Sequence, residues 1–314
     1  MKYLFYSLMS ALVFLNVFSN FVYANEQKTD TCIKYNHHLW TPQFKKYFSE
    51  NNMEEKVENL KQGMDEISKQ YIDKFMSNSK YWDKCVNECK DYDENNLWTD
   101  YDKALFEEFG KDADENGFLF WYSSKYGMKD LPEDVIKRIN GKDIIEGGAA
   151  PGNITLLFNE MFPKSNIYAY EAMKSNMNEI NTFMNNAINS GIDIKNIHII
   201  NKGLGRKKGE KEIEWSGIYE KCPIVKLDED FYLQGGKNLG LIKLDIEGDE
   251  TPTIEGAKKL IKKYKPVLVI AIYHTPRDFF ELKDKIKKIN PKYKFMIRRC
   301  ENIITDADLM LIAY

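Results

Sequence analysis

After Pro132 the sequence alternates short apolar runs with segments of helical character, and this alternation constrains the fold more than any other feature. Each apolar run ends near a polar or glycine-bearing turn, as buried strands do. Strands that alternate with helices form parallel sheets through right-handed crossovers, with helices on both faces. The predicted strands are residues 143–146, 167–170, 197–200, 241–244 and 267–272.

The end of the chain predicts two further strands, residues 293–298 and 309–314, with no helix between them. Two such strands suggest an antiparallel hairpin that closes the sheet. We therefore expect residues 131–314 to form an α/β domain with a doubly wound, mostly parallel sheet and a C-terminal antiparallel hairpin.

Residues 25–130 are predicted to be a helical accessory region. Its tryptophans, Trp40 and Trp82 among them, indicate aromatic surface that is buried against the α/β domain. Apolar residues recur at three- and four-residue steps, which places them on one face of a long helix. These residues are Val57, Leu60, Met64, Ile67, Tyr71 and Phe75.

The first 24 residues are typical of an export signal. No charge occurs from Tyr3 to Asn25, Lys2 precedes the run, and cleavage is expected after Ala24. Residues 3–23 are also long enough to anchor the chain in a membrane. Either reading predicts an exported or membrane-associated protein. A misassigned start codon, with synthesis beginning at Met53 for instance, would leave it cytoplasmic.

The charge balance limits the partners. With 45 basic and 48 acidic residues, the net charge is −3. Proteins that coat nucleic acid or anionic lipid need a basic excess. Nucleic acid and anionic lipid are therefore not expected as partners.

The stretch DIIEGGAAPGN follows the first predicted strand, where ligands bind in open parallel sheets. Ala149 and Pro151 break the G-x-G-x-x-G fingerprint, which argues against an NAD-dependent oxidoreductase. The pattern acid-x-Gly-x-x-x-Gly is met by Glu146, Gly148 and Gly152, and is associated with S-adenosylmethionine pockets. The carboxylate suits a cationic amino group, and the glycines make room for the ligand.

Two further acids are candidate cofactor ligands. Glu171 ends the second predicted strand, where an acid accepts hydrogen bonds from ribose hydroxyls. Asp228 follows the apolar residues 224–227 and is expected to approach the adenine edge.

The acidic stretch DIEGDE, residues 245–250, follows the fourth strand. Asp245 is expected to point into the crevice, because it follows the apolar run directly. Tyr273 and His274 end the fifth strand, and His274 is the candidate base, with Asp245 orienting it or the acceptor. Glu247 and Tyr273 are expected to face the substrate. The leading interpretation has no metal, but a divalent cation held by Asp245 and Glu247 is an open alternative.

Residues 131–314 resemble the FkbM-type S-adenosylmethionine-dependent methyltransferases. The resemblance rests on LPEDVIKRINGKDIIEGGAAPGN, IYAYE, LIKLDIEGDETPTIEGAKKL, KPVLVIAIYH and YKFMIRR. It implies a Rossmann-like class I methyltransferase fold and O-methylation of a sugar or other metabolite by in-line displacement. It assigns Glu146, Gly148, Gly152 and Glu171 to the cofactor pocket, and Asp245, Glu247 and His274 to the acceptor side.

A second hypothesis is a binding or interaction protein on a methyltransferase scaffold that does not catalyse. Fold does not fix function. The apparent export signal favours this hypothesis, because S-adenosylmethionine is a cytosolic metabolite.

Overall fold

A seven-stranded sheet forms the centre of the protein. The computed structural model describes residues 40–82, 84, 99–109, 124–215, 217–300 and 308–314. The predicted signal or anchor in residues 1–24 lies outside these ranges. In the part of the chain that is described, no helix has both the length and the apolar character needed to cross a membrane.

The strands and helices alternate along the second half of the chain. The strands are β1 (Asp143–Gly147), β2 (Ile167–Tyr170), β3 (Ile197–Ile200), β4 (Gly203–Leu204), β5 (Gly209–Trp215), β6 (Ile218–Val225), β7 (Leu239–Leu244), β8 (Val267–Ala271), β9 (Phe295–Arg299) and β10 (Leu309–Ala313). The helices are α1 (Thr41–Glu50), α2 (Met53–Lys61), α3 (Glu66–Asn78), α4 (Asp100–Phe109), α5 (Glu133–Lys137), α6 (Asn153–Met161), α7 (Met177–Asn189), α8 (Leu227–Leu233), α9 (Glu250–Gly256), α10 (Lys258–Tyr264) and α11 (Pro276–Ile289). A 3-10 turn spans Ser79–Tyr81.

The strand order of the large sheet is β3-β2-β1-β7-β8-β10-β9. The first five strands in this order pair in parallel, and β10 is antiparallel to both β8 and β9. The predicted doubly wound sheet and its C-terminal antiparallel hairpin are therefore confirmed. The order reverses between β1 and β7, so the crevice at the carboxyl ends of these two strands is where this architecture binds ligands.

Burial explains why the central strands read as continuous apolar runs. All residues of β1, β2, β7 and β8 are buried. Parallel strands are covered on both faces by the crossover helices, so alternation with polar residues is lost.

A second sheet, with the order β4-β6-β5, was not predicted from the sequence. Strands β5 and β6 form an antiparallel pair, and most residues of β5 are exposed. An exposed strand has no apolar run to reveal it.

The prediction of one long helix across residues 57–75 is wrong. Helix α2 ends at Lys61, Gly63 adopts a left-handed φ of 72°, and the Asp65 side chain accepts a hydrogen bond from the Ser68 backbone at the start of α3. The apolar stripe continues through this break because both helices bury their apolar faces against the same core.

The helical segment packs on the α/β domain, as its aromatic content predicted. Phe44, Phe75 and Trp82 form a cluster with Phe279 of α11, and the rings of Phe75 and Phe279 stack at 4.0 Å between centroids. This cluster is continuous with the core on one face of the large sheet. The accessory helices therefore share a hydrophobic core with the sheet.

Candidate active site

Four neighbouring strands, β2, β1, β7 and β8, end at one edge of the sheet, here called the rim. The sequence-predicted residues Glu146, Gly148, Glu171, Asp245 and His274 all lie at or just beyond these strand ends. The topology therefore brings together residues that are more than 120 positions apart in the sequence.

The glycine turn after β1 touches the acidic loop after β7. Gly148 has a φ of 75°, and a Cβ added to it would lie 1.9 Å from the Asp245 carbonyl oxygen. The Asp245 backbone N–H donates to the Gly147 carbonyl at 3.2 Å. Gly152 has a φ of 111° and is the N-cap residue that immediately precedes α6. Glycine at position 148 is thus required by contact between the two loops, and not only by the approach of a ligand.

Glu146 is fully buried beneath the turn. Its Oε2 accepts a hydrogen bond from the Thr155 hydroxyl at 2.6 Å, and Lys243 Nζ lies 4.0 Å from Oε1. Burial raises the pKa of Glu146 to about 7, although Lys243 opposes the shift. Lys243 Nζ also donates to the Gly148 carbonyl at 3.0 Å. The cation facing Glu146 is therefore a lysine of the chain itself.

Glu171 follows β2 and is largely buried. Its Oε1 accepts hydrogen bonds from the Met173 backbone N–H at 3.0 Å and from the Asn176 amide at 3.1 Å. These bonds fix the carboxyl group at the rim while using one oxygen. The second oxygen is the one available to a ligand.

Asp228 does not join the rim, which corrects the prediction that it approaches an adenine. It lies in the first turn of α8, and its Oδ1 accepts hydrogen bonds from the backbone N–H groups of Lys259 and Leu260, each at 2.9 Å. Asp228 therefore provides a hydrogen-bond acceptor for backbone N–H groups in the first turn of α10 that have no acceptor within the helix.

His274 is fully buried at the rim among three carboxylates. Its Nδ1 lies 2.8 Å from Glu250 Oε1. Its Nε2 lies 3.4 Å from both Asp245 Oδ1 and Glu247 Oε2. The Trp40 ring packs edge-on at 4.8 Å between centroids, so the helical segment contributes one wall.

These carboxylates decide the protonation state of the imidazole. Burial alone would lower the pKa of His274, but the surrounding acids, Glu250 foremost, raise it to about 10. His274 as a general base therefore stays a prediction, which requires that the imidazole first lose a proton. The neighbour that orients the ring is Glu250 at Nδ1, rather than Asp245.

Asp245 and Glu247 face the solvent side of the rim. Asp245 accepts hydrogen bonds from the hydroxyls of Tyr126 and Tyr273, each at 3.1 Å. Tyr273, which the sequence predicted to face the substrate, therefore positions Asp245. Glu247 has a φ of 57° and a side chain that is 45% exposed. Partial burial and repulsion from neighbouring acids, Asp245 the largest among them, raise the pKa of Glu247 to about 7.

Three residues of the rim were not assigned a role from the sequence, namely Glu250, Tyr126 and Trp40. Glu250 is the last residue of the D-x-E-G-x-E pattern that begins at Asp245, so this pattern could have identified Glu250 as a site residue. Tyr126 and Trp40 come from outside the sheet strands. No local pattern marks them.

Comparison with known proteins identifies the family to which the chain belongs. A family model described as the methyltransferase FkbM domain matches residues 146–302, which is half of the chain. The chain belongs to the FkbM methyltransferase family. The matched FkbM segment begins at Glu146 and contains every residue of the rim from the strand ends named above.

A solved methyltransferase structure shares the fold of the FkbM chain. The FkbM methyltransferase from Methylobacillus flagellatus KT superposes with a TM-score of 0.58 at 17% identity, over 82% of this chain and 58% of that chain. The chain thus spans less than two thirds of the length of that relative. Fibrillarin from Aeropyrum pernix, solved with bound S-adenosyl-L-methionine, gives a TM-score of 0.40 at 13% identity, over 63% of this chain and 76% of that chain. No curated protein matches the sequence significantly.

Proposed function

We propose that the FkbM domain transfers a methyl group from S-adenosylmethionine to a hydroxyl of a sugar or another small metabolite. The observation that carries the proposal is the contact between the glycine turn and the acidic loop at the strand-order reversal. A cofactor in the turn and an acceptor at the acids would be neighbours there, because Gly148 lies against the Asp245 backbone.

The residues at the turn fit the cofactor. Glu146 Oε1 is buried and lies 4.0 Å from Lys243 Nζ, and it has no hydrogen-bond partner in the described part of the chain. The positive φ angles of Gly148 and Gly152 keep Cβ atoms out of the turn. Glu171 would accept hydrogen bonds from the ribose hydroxyls through its second oxygen. These residues would hold the cofactor.

When bound, S-adenosylmethionine supplies an activated methyl group. The task left to the chain is to orient the acceptor, and orientation contributes about 7–11 kcal/mol in favourable cases. Asp245 and Glu247 are the groups that can accept the hydroxyl proton, since both reach the solvent side of the rim. His274 Nε2 lies 3.4 Å from an oxygen of each of these two carboxylates.

Calorimetric titration of the full chain with S-adenosylmethionine tests the cofactor half of the proposal. We expect one site per chain. The Glu171→Ala variant should bind about 10-fold to 100-fold more weakly, because a hydrogen bond to a charged group contributes about 1.5–3 kcal/mol. Glu212→Gln, an exposed acid on β5, is the control and should bind as the wild type does.

Transfer of a labelled methyl group to a panel of sugars and other hydroxylated metabolites tests the second half. Asp245→Asn should retain cofactor binding and lose transfer. A folded chain that gives no heat with S-adenosylmethionine would contradict the proposal. Binding without transfer to any acceptor would favour a non-catalytic binding protein on the same scaffold.

A further inference from the structure

One buried polar atom at the rim has no hydrogen-bond partner although two carboxylates surround it. His274 Nε2 is shielded from solvent and makes no hydrogen bond within the described residues. Asp245 Oδ1 and Glu247 Oε2 both lie 3.4 Å away. A buried nitrogen that lies 3.4 Å from two carboxylate oxygens and bonds to neither is energetically costly, unless a ligand interacts with all three atoms.

The separations match a metal centre. Ligand atoms from Asp245, Glu247 and His274 all lie within 4.8 Å of one another. Metal–ligand bonds of about 2.0–2.2 Å place neighbouring ligand atoms about 3.4 Å apart in a tetrahedron. Both distances from Nε2 have this value. A small inward movement of Glu247, whose side chain is 45% exposed, would complete the set.

The excess of negative charge around His274 also favours the binding of a cation. The three acids Asp245, Glu247 and Glu250 form ion pairs with His274, and none of these involves a lysine or arginine of the described chain. Asp249, the fourth acid of the loop, is paired with Lys211. Three carboxylates thus share one imidazole.

A carboxylate fixes the orientation of the imidazole, as is usual for histidines that bind metals. Glu250 Oε1 lies 2.8 Å from Nδ1 and also accepts the backbone N–H of Ile246 at 2.8 Å. A carboxylate on the far nitrogen fixes the ring so that the other nitrogen faces the metal. Asp245 is held in turn by the hydroxyls of Tyr126 and Tyr273.

We propose that Asp245, Glu247 and His274 bind one divalent transition-metal cation, which takes the place of the Nε2 proton of the ion-free imidazole and releases that proton to solvent. One imidazole with two carboxylates suits Mn²⁺ or Zn²⁺ better than a cation that prefers oxygen ligands alone. Three protein ligands leave coordination positions open on the exposed side, as in catalytic rather than structural sites. This site replaces the sequence-based interpretation without a metal.

The role of the cation rests on the proposed function. An acceptor hydroxyl that occupies an open position would be held next to the glycine turn, and coordination would lower its pKa. The existence of the site does not depend on this role, so the site is tested without cofactor or acceptor.

The experiment uses the full chain, stripped with a chelator, and titrates it with Mn²⁺ alone. Calorimetry should give one site per chain. Pulsed electron paramagnetic resonance should show one imidazole nitrogen coupled to the bound Mn²⁺. Glu247→Gln should weaken binding by more than about 100-fold, since even residues that only orient a ligand contribute about 10-fold to 100-fold.

Two further variants separate ligation from folding. His274→Gln should abolish the nitrogen coupling, and His198→Gln, a change in β3 outside the rim, should leave it intact. Glu250→Gln should weaken binding about 10-fold to 100-fold while the nitrogen coupling remains, because Glu250 only orients the ring. If the His274 variant does not fold, the half-exposed Glu247 still tests the site.

The proposal is overturned if a folded chain binds no Mn²⁺ at millimolar concentration. It is also overturned if bound Mn²⁺ shows no imidazole coupling, or if Glu247→Gln binds like the wild type. Each of these results is independent of S-adenosylmethionine binding, so loss of the metal site is distinguishable from loss of the proposed function.

Discussion

Two clusters of partly buried charged residues in this protein differ in how completely their charges are paired. In the Arg298 cluster, one guanidinium meets Asp65 in a two-point contact and Asp130 at its Nε. In the rim cluster, His274 meets three carboxylates and leaves buried atoms of His274 and Glu250 without hydrogen bonds among the described residues.

The difference shows in the protonation of the acids. Burial alone would raise the pKa of Asp65, but the hydrogen bonds from Arg298 and Ser68 hold it below its usual value. At the rim, the pKa of Glu247 rises to about 7 instead. Satisfied charge stabilises the fold, whereas an excess of acid stabilises it only once a cation is bound. The Arg298 cluster ties α3 to β9, whereas the excess of acid at the rim is what our proposal assigns to binding a ligand.

The largest effect is expected for Arg298→Met. Asp65 and Asp130 would lose their counter-ion, and removing one partner of a buried pair costs about 3–5 kcal/mol. Because both acids keep some solvent access, we expect the free energy of unfolding to fall by about 3 kcal/mol, measured by urea denaturation. Arg206→Met is the matched control: Arg206 pairs with Glu255 on the surface, and its loss should cost about 0–1 kcal/mol. Equal losses would remove the stabilising role of the Arg298 cluster.

A smaller loss in the free energy of unfolding is expected for Gly148→Ala. This variant tests the close contact between the glycine turn and the acidic loop at the rim. A left-handed φ costs a non-glycine residue about 1–2 kcal/mol, and the new Cβ would also meet the Asp245 carbonyl. We expect a loss above about 2 kcal/mol in urea denaturation. Gly141→Ala shares the left-handed φ and has open space around its Cβ, so it should cost only about 1 kcal/mol. A Gly148 variant no less stable than the control would contradict the contact between the two loops.

Glu146, beneath the glycine turn at the rim, and Asp65, in the Arg298 cluster, should make opposite contributions to the pH dependence of stability in metal-free protein. Glu146 titrates near 4.5 when unfolded and near 7 when folded, so its stabilising contribution is present below about pH 4.5 and is lost as the pH rises through about 7. Asp65 has a lowered pKa, so its contribution is present above 3.8 and is lost on acidification.

Between about pH 5 and about pH 8, wild-type stability should fall by about 2–3 kcal/mol relative to Glu146→Gln, which cannot titrate. Urea denaturation of both proteins across this range measures the difference. A constant difference would show that Glu146 carries no raised pKa.

The sequence predicted the parts of the fold that a buried apolar run reveals. Strand β8, for example, was expected to span residues 267–272 and spans Val267–Ala271. The exposed strand β5 was missed, because its residues face solvent and give no such run. The break at Gly63 was missed because the apolar spacing persists across it, although Gly63 and Asp65 together are a helix stop and a helix cap.

The sequence predicted which residues lie at the site, but it did not predict the role of each residue. Strand ends identified Glu146, Glu171, Asp245 and His274, because parallel strands present their carboxyl ends at one edge. The charge state of His274 depends on Glu250, which reaches it across 24 residues. Asp228 was misplaced because the sequence shows an acid after an apolar run, whereas the backbone that it caps belongs to α10.

The central claim is that the rim keeps its acids for a ligand and loses stability by doing so. Thermal unfolding of chelator-treated full-length Glu247→Gln and Asp130→Asn, at about pH 8, tests it most directly. We predict that Glu247→Gln leaves the melting temperature unchanged or raises it, because one repelled carboxylate is gone, while Asp130→Asn lowers it by about 2–4 °C. Equal lowering by both substitutions would contradict the claim, since the rim acids would then stabilise the fold as the partners of Arg298 do.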